Sequence, residues 1–134
     1  MKHILLVDDE PHVIRVMRLS LEKAGYRIGE AANGLQAMEY LQKYRPDLMI
    51  TDIDMPRMNG RELCEEITRT MPDRTFRILV LTARAEDEHR AWSSGLDNIG
   101  FFEKPVSMRR LLAALDEYFN VAINDGGQAC QSAR

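Results

Sequence analysis

The chain has 134 residues, a length that suits one domain and excludes two large ones. Its composition, 45% hydrophobic and 29% charged, is typical of a soluble globular protein, and no apolar run approaches the roughly 20 residues that a membrane-spanning helix needs. The net charge of −3, without a cluster of Lys or Arg, argues against direct nucleic-acid binding.

The N-terminal segment and the cysteines indicate the compartment. The apolar stretch Ile4–Val7 is far too short for a secretory signal, so we expect a cytoplasmic protein without membrane association. The two cysteines, Cys64 and Cys130, fit a reducing compartment. We expect both to be free thiols, and Cys64 to be a small packing residue in the core.

Short apolar runs alternate with stretches of helical period along the chain. This alternation predicts an α/β architecture in which helices cover a parallel sheet. The predicted strands are Ile4–Val7, Arg27–Ala31, Leu48–Thr51, Ile78–Leu81 and Gly100–Phe102.

Apolar residues at helical spacing between these strands predict which faces of the first three helices pack on the sheet. The predicted core positions are Val13, Val16 and Met17, then Leu35, Met38 and Leu41, then Leu63, Cys64 and Ile67. The fourth helix, Glu86–Ser94, is only weakly amphipathic and has Trp92 as its one large apolar residue.

The last helix has the clearest apolar stripe, which runs from Met108 to Phe119, and Pro105 and Ser107 mark its start. Beyond Phe119 the periodic apolar residues stop. We therefore expect a domain over residues 1–119, followed at 120–134 by a flexible tail or the start of a linker.

Polar side chains follow four of the predicted strands: Asp8 and Asp9, then Asp52, then Thr82, then Lys104. Ligands of open parallel sheets bind at the carboxyl ends of the strands. Three carboxylates at one edge repel one another unless a hard cation such as Mg²⁺ neutralises them. Bound Mg²⁺ commonly shares a phosphate oxygen, and Lys104 and Thr82 supply a positive charge and a hydroxyl for such a group. The set therefore predicts Mg²⁺-dependent phosphoryl chemistry.

These residues lie in four segments that are specific in combination. The segments are Leu5-Leu6-Val7-Asp8-Asp9, Pro46–Asp52 with Met55–Gly60, Leu81-Thr82-Ala83, and Phe101–Pro105. With them the chain resembles the receiver domain of two-component response regulators and is similar to single-domain chemotaxis regulators. The resemblance covers Met1 to about Phe119. It implies a (βα)5 flavodoxin-like, doubly wound parallel sheet with strand order 2-1-3-4-5.

The resemblance also implies a role for each acidic residue. Asp52 is the phosphoacceptor, which takes a phosphoryl group from a phosphohistidine of a histidine kinase or phosphotransfer protein. Asp9 binds Mg²⁺ directly, Asp8 acts mostly through water, and the backbone carbonyl of Asp54 completes the protein ligands. Such a domain is a signalling switch rather than an enzyme.

Thr82 and Lys104 are implied to contact the phosphoryl oxygens, and Phe101 stands at the position of the switch aromatic. The output is implied to pass through the face formed by helix 4, strand 5 and helix 5. Its partner is a downstream protein target or a fused effector domain, and a phosphorylation-dependent dimer is a further expectation.

Two other functions remain open at this stage. Asp52-Ile53-Asp54 after an apolar strand also fits a haloacid dehalogenase-type phosphatase, although that family's metal-binding acidic pair should lie downstream. The third reading is a receiver-like interaction module that does not use phosphate.

Some residues near or outside the site carry expectations of their own. Asp54 and Arg84 have opposite charges, and we expect them either to pair over the mouth of the site or to extend separately into solvent. His3, His12 and His89 share no metal-ligand spacing, so we expect all three at the surface or at its boundary.

Overall fold

The protein, in a computed structural model, is described for residues 1–92 and 98–125. Five strands alternate with five helices, as the apolar pattern predicts. The strands are β1 (His3–Val7), β2 (Arg27–Ala31), β3 (Leu48–Asp52), β4 (Arg77–Thr82) and β5 (Ile99–Glu103). The helices are α1 (Pro11–Lys23), α2 (Gly34–Lys43), α3 (Gly60–Thr70), α4 (Ala85–Ala91) and α5 (Met108–Asp125).

The strands form one parallel sheet in the order β2-β1-β3-β4-β5, which confirms the flavodoxin-like topology. The chain order reverses between β1 and β3, so their carboxyl ends flank the crevice in which such sheets bind ligands. This topology places the ends of β1 and β3, and therefore their acidic residues, side by side.

The sheet is covered on both faces because alternate strand residues point to opposite sides. Leu5 and Val7 join a cluster with α2 and α3, whereas Ile4 and Leu6 join a second cluster with α1 and α5. Cys64 of α3 is fully buried in the first cluster as a free thiol, as expected. Burial raises the pKa of the Cys64 thiol to about 12, which leaves it without nucleophilic character near neutral pH.

Two predicted core positions are wrong. Val16 is 57% exposed and Leu35 is 46% exposed. On α1 the buried residues are Ile14, Met17 and Leu21, whose spacing follows the helical period, and Val16 projects away from that stripe. Apolar character alone therefore misplaced these two side chains.

The last helix is longer than expected. α5 continues past Phe119 to Asp125, so the first part of the predicted tail is helical. The predicted start of the helix is confirmed, because the Ser107 hydroxyl accepts the N–H of Arg110. Residues 126–134, which include Cys130, lie outside the described residues.

His3 is buried, which contradicts its predicted surface position, whereas His12 is exposed as expected. The Nε2 atom of His3 lies 2.5 Å from the Tyr40 hydroxyl of α2, and its backbone N–H donates to Asp47 at 2.7 Å. These partners satisfy the polar atoms of His3 and allow its burial at the first position of β1. The side chain of His89 lies outside the described part of the chain.

The buried imidazole gives the first testable prediction. Burial, with the nearby Arg27 charge, lowers the pKa of His3 despite the opposing charge of Asp47. The unfolded state then binds more protons than the native state near pH 6.5, so the free energy of unfolding falls as pH drops through that region. We expect the melting temperature to fall from about pH 7.5 to 5.5 in the wild type and to fall less in His3→Gln. The exposed His12→Gln is the control, and an equal pH dependence in all three proteins would contradict the prediction.

Candidate functional site

Three aspartates converge at the carboxyl end of the sheet. Asp8 and Asp9 follow β1, and Asp52 ends β3. One carboxylate oxygen from each lies within 4.8 Å of the others, and no other such group of acidic, histidine or cysteine side chains occurs within the described residues. Asp8 and Asp52 are buried, whereas Asp9 is exposed. The structure thus brings together the acidic residues that the sequence singled out.

Asp8 is held in a fixed orientation. Its Oδ1 accepts the backbone N–H of Glu10 at 2.9 Å, just before α1 begins. Burial raises the pKa of Asp8, the Glu10 N–H opposes this effect, and the charges of Asp52 and Asp9 add to the increase. The charged carboxylate is therefore held at some energetic cost, which a bound cation would relieve.

Asp52 forms an ion pair with Lys104, whose ammonium contacts Oδ1 of the carboxylate. Burial raises the pKa of Asp52, and the hydrogen bond and charge of Lys104 only partly offset that increase. Burial alone would lower the pKa of Lys104, but Asp52, with Asp8 and Asp54 further away, raises it. Lys104 is therefore fully charged at neutral pH, and its ammonium contacts the carboxylate of Asp52, the candidate phosphoacceptor.

Thr82 and Lys104 are linked through the backbone of neighbouring strands. The Lys104 N–H donates to the Thr82 carbonyl at 2.8 Å, and Leu81 pairs with Asp52 in the sheet. The buried Thr82 hydroxyl accepts the backbone N–H of Arg84 at 3.1 Å, so its own proton is available for another acceptor. The hydroxyl and the ammonium that the sequence predicted thus stand at adjacent strand ends next to Asp52.

The main chain of Asp52 is braced by two residues that sequence reasoning missed. The Thr51 hydroxyl donates to the Asp52 carbonyl at 2.9 Å. Gly60, at the start of α3, packs so closely that a Cβ atom there would lie 2.6 Å from the same carbonyl oxygen. Its N–H also donates to the Ile53 carbonyl at 2.8 Å. The sequence did contain a signal for Gly60, which is the last residue of the Met55–Gly60 segment. The steric reason for a glycine at this position is visible only in the structure.

The close approach of Gly60 gives a second prediction. A methyl group at Gly60 meets backbone atoms of Asp52 and Ile53, which cannot rotate away as a flexible side chain can. We expect Gly60→Ala to lower the free energy of unfolding by about 1–3 kcal/mol, as overpacking does in other cores. Thr70→Ala, at an exposed position of the same helix, is the control in chemical denaturation. Equal stability of the two variants would show that α3 shifts without cost.

Asp54 and Arg84 do not pair. Both side chains are exposed, and no ion pair between them occurs among the residues that the structure describes. Asp54 lines the cavity above Asp52, and its charge contributes to the raised pKa of Asp52. Of the two expected arrangements, separate extension into solvent is the one observed.

For the phosphoryl group that the sequence predicts on Asp52, this arrangement predicts how fast the group is lost. Because there is no ion pair to break, Asp54→Ala and Arg84→Ala should change the rate constant of phosphate loss independently. The change in the double variant should then equal the product of the two single changes to within about twofold. The rates should also respond little to salt. The measurement is the decay of phosphorylated protein for the four proteins at low and high salt. A double variant no faster than the quicker single variant would contradict independence.

Phe101 lies in the middle of β5, opposite Val80 of β4. It is partly buried and packs against the cluster formed with α2 and α3. Its ring meets Trp92 edge-on, with 4.9 Å between the ring centroids and an interplanar angle of 84°. The predicted switch aromatic therefore has a large aromatic partner that sequence reasoning did not connect with it.

A cavity of about 590 Å³ opens above the acidic residues. Its lining combines the charged side chains of Asp52, Asp54 and Lys104 with apolar side chains that include Met17 of α1 and Met108 of α5. The apolar part of the lining was not predicted, because it comes from two helices far apart in the chain.

Comparison with known proteins identifies the family to which the chain is similar. The family model for the response regulator receiver domain matches residues 4–116. The chain is 34% identical to response regulator GtcR of Aneurinibacillus migulanus over 114 residues, which cover 85% of this chain and 46% of that protein. The chain spans about half the length of the curated relatives that it matches.

Solved structures give the same result. Chemotaxis response regulator CheY4 of Vibrio cholerae superposes with a TM-score of 0.78 at 30% identity, covering 87% of this chain and 98% of that one. The receiver domain of sensor histidine kinase PA1611 from Pseudomonas aeruginosa PAO1, described with a magnesium ion coordinated in its active site cleft, has a TM-score of 0.76 at 28% identity. That match covers 89% of this chain and 98% of the neighbour.

No helix within the described residues is both long and apolar enough to cross a membrane. The match of the family model extends over most of the sequence, from β1 into α5. Asp8, Asp9, Asp52, Thr82 and Lys104 all lie within it. The chain belongs to the response regulator receiver domain family of two-component signalling.

Proposed function

We propose that the chain is a phosphorylation-controlled switch that accepts a phosphoryl group on Asp52 from a histidine kinase or phosphotransfer protein. The observation that carries the proposal is the ion pair of buried Asp52 with Lys104, next to the carboxylates of Asp8 and Asp9. This arrangement pairs a nucleophile with the charge that receives a phosphate. In the reaction a carboxylate oxygen of Asp52 bonds to phosphorus, the phosphorus–nitrogen bond of the donor breaks, and the electron pair returns to the donor imidazole.

The acidic residues fit Mg²⁺. Their ligand atoms are carboxylate oxygens, which hard cations prefer, and these oxygens are close enough to share one ion. Asp8, Asp9 and Asp52, together with the backbone carbonyl of Asp54, would hold it, with Asp8 acting mostly through water. When bound, the ion neutralises charge on the transferring phosphoryl group. The relative with magnesium in its cleft supports this assignment.

Thr82 and Lys104 stabilise the phosphorylated state by contacting the phosphoryl oxygens. Lys104 keeps its charge because Asp52 and the neighbouring carboxylates raise its pKa. The Thr82 hydroxyl, which accepts a hydrogen bond from the Arg84 N–H in the structure, donates a hydrogen bond to a phosphoryl oxygen. Catalysis here is positioning and charge stabilisation, and the protein supplies no further proton transfer.

The output passes through the face formed by α4, β5 and α5. Drawing Thr82 toward the phosphoryl group moves the loop between β4 and α4, and Phe101 on β5 turns inward behind it. The altered face then binds a downstream protein, a fused effector domain or a second copy of the chain. The chain matches only about half the length of its curated relatives. A separate target protein and a fused effector domain are therefore both compatible with this proposal.

The test is uptake of phosphate from acetyl phosphate, followed by intact mass. We expect a gain of one phosphoryl group that requires Mg²⁺ and disappears when EDTA is added. Hydrolysis of a phosphate monoester should stay at the level of buffer alone. Steady turnover of the monoester would favour the phosphatase alternative, against which Asp8 and Asp9 already argue because they precede Asp52 in the chain. No uptake would favour an interaction module.

A further inference from the structure

Trp92 is the single tryptophan of the chain and directly follows α4. It is 4% exposed and belongs to the core cluster formed with α2 and α3. None of the side chains described for α4 itself is buried to this degree. Trp92 therefore connects the end of α4, which is part of the proposed output face, to the core cluster formed with α2 and α3.

Two aromatic contacts hold Trp92 in place. Phe101 of β5 lies against it edge-on at 4.9 Å, an arrangement that aromatic pairs favour. Arg61 of α3 places its guanidinium carbon 5.6 Å from the centroid of the Trp92 ring, within the range of a cation–π contact. Arg61 is itself oriented by an ion pair with Glu65 at 3.3 Å.

One feature opposes this position of Trp92. Its Nε1–H is buried and has no hydrogen-bond partner among the described residues. A buried donor without a partner disfavours the conformation that buries it. Among the described residues, the contacts with Phe101 and Arg61 thus hold the ring against the cost of this unpaired donor.

We propose that Trp92 is a latch that holds Phe101 in the position seen here and connects it to Arg61 on α3. The inference rests on the proposed function, in which Phe101 turns inward on phosphorylation. Rotation of Phe101 about its first side-chain torsion moves its ring out of the edge-on geometry. The contact with Trp92 must then break, or Trp92 must move with Phe101. Either event changes the surroundings of the indole and the position of the α4 end.

Tryptophan fluorescence tests the latch in the intact chain, because Trp92 is its only source. We expect beryllofluoride with Mg²⁺ to change the emission of Trp92, with the same midpoint as the NMR shifts of residues beside Asp52. If the signals beside Asp52 saturate while the emission stays constant, the latch is wrong and the proposed function stands. If neither responds, both proposals fail.

Variants test the direction of the effect. Because the contact with Trp92 favours the position of Phe101 described here, which the proposed inward turn must leave, Trp92→Leu should tighten beryllofluoride binding about two- to tenfold. Arg61→Gln should tighten it about two- to fivefold and leaves the tryptophan in place as a probe. Calorimetry measures both, and Arg61→Gln keeps the test valid if Trp92→Leu does not fold.

The matched control is Arg69→Gln. Arg69 lies on the same helix and forms an exposed ion pair with Glu66. We expect its affinity for beryllofluoride to equal that of the wild type. A purely structural role for Trp92 predicts lower melting temperatures with unchanged affinity. Unchanged affinity in Arg61→Gln, or an equal gain in Arg69→Gln, would overturn the latch.

Discussion

Replacement of Asp52 by asparagine is expected to abolish Mg²⁺-dependent uptake of phosphate from acetyl phosphate. The amide is a poor nucleophile, and no other described carboxylate forms an ion pair with Lys104. Intact mass after incubation with acetyl phosphate measures the effect. Asp54→Asn, an exposed change two residues away that keeps the backbone carbonyl, is the control and should still be labelled. Retained labelling of Asp52→Asn would falsify the assignment of the phosphoacceptor.

The same variant should be more stable than the wild type at neutral pH. Burial raises the pKa of Asp52 even with Lys104 beside it. Between the ordinary pKa of aspartate, about 3.9, and this raised value, the native state binds more protons than the unfolded state. The free energy of unfolding therefore falls as pH rises through that window, and the cost persists at neutral pH. Asparagine removes the cost because it carries no charge.

Chemical denaturation with and without Mg²⁺ measures this effect. At neutral pH without metal, Asp52→Asn should unfold at higher denaturant concentration than the wild type. The difference should shrink toward pH 3, because the Asp52 carboxyl of the wild type becomes protonated in both the native and the unfolded state. Added Mg²⁺ should stabilise the wild type more than the variant, because metal binding to the native state adds to its stability. A variant less stable than the wild type at every pH would indicate that the ion pair with Lys104 outweighs the burial of Asp52.

The sequence was sufficient to predict which polar residues come together at the sheet edge, because these residues adjoin buried strands. Each of Asp8, Asp52 and Thr82 stands at the end of an apolar run, and the parallel topology brings those ends together. The order of the strands did not follow from the apolar pattern itself. It was implied by the family resemblance, since packing of helices on a sheet is compatible with several orders.

Two features that the sequence did not reveal, at His3 and at Gly60, depend on contacts between distant segments. His3 is buried because Tyr40, on another element, supplies its hydrogen bond. Gly60 is required because α3 begins against the backbone of Asp52, a distance that no local pattern encodes. Whether Asp54 and Arg84 pair or extend separately was left open by the sequence, because the direction of two exposed side chains is not set by it.

Beryllofluoride, a mimic of the phosphoryl group, is expected to change the protein far beyond Asp52. The phosphoryl group of a phosphorylated aspartate carries about −1.5 to −2 charges and three acceptor oxygens, in place of the single charge of the carboxylate, and these attract the Lys104 ammonium and the Thr82 hydroxyl. The Thr82 hydroxyl now accepts from the N–H of Arg84, so its movement changes the start of α4 as well. The amide NMR signals of residues 83–119 should shift, including positions in β5 and α5 that do not line the cavity.

Thr82→Ala separates transmission of the signal from binding of the mimic. The variant keeps Asp52 and Lys104, so beryllofluoride should still shift the signals beside the acidic residues. It lacks the hydroxyl that connects the phosphoryl group to the loop before α4, so the shifts in β5 and α5 should shrink. Thr51→Ala is the matched control, because that hydroxyl bonds only to the neighbouring Asp52 carbonyl among the described contacts. The distant shifts should persist in Thr51→Ala. If the wild-type shifts are confined to residues that line the cavity, or if Thr82→Ala leaves the distant shifts intact, the route through Thr82 is wrong.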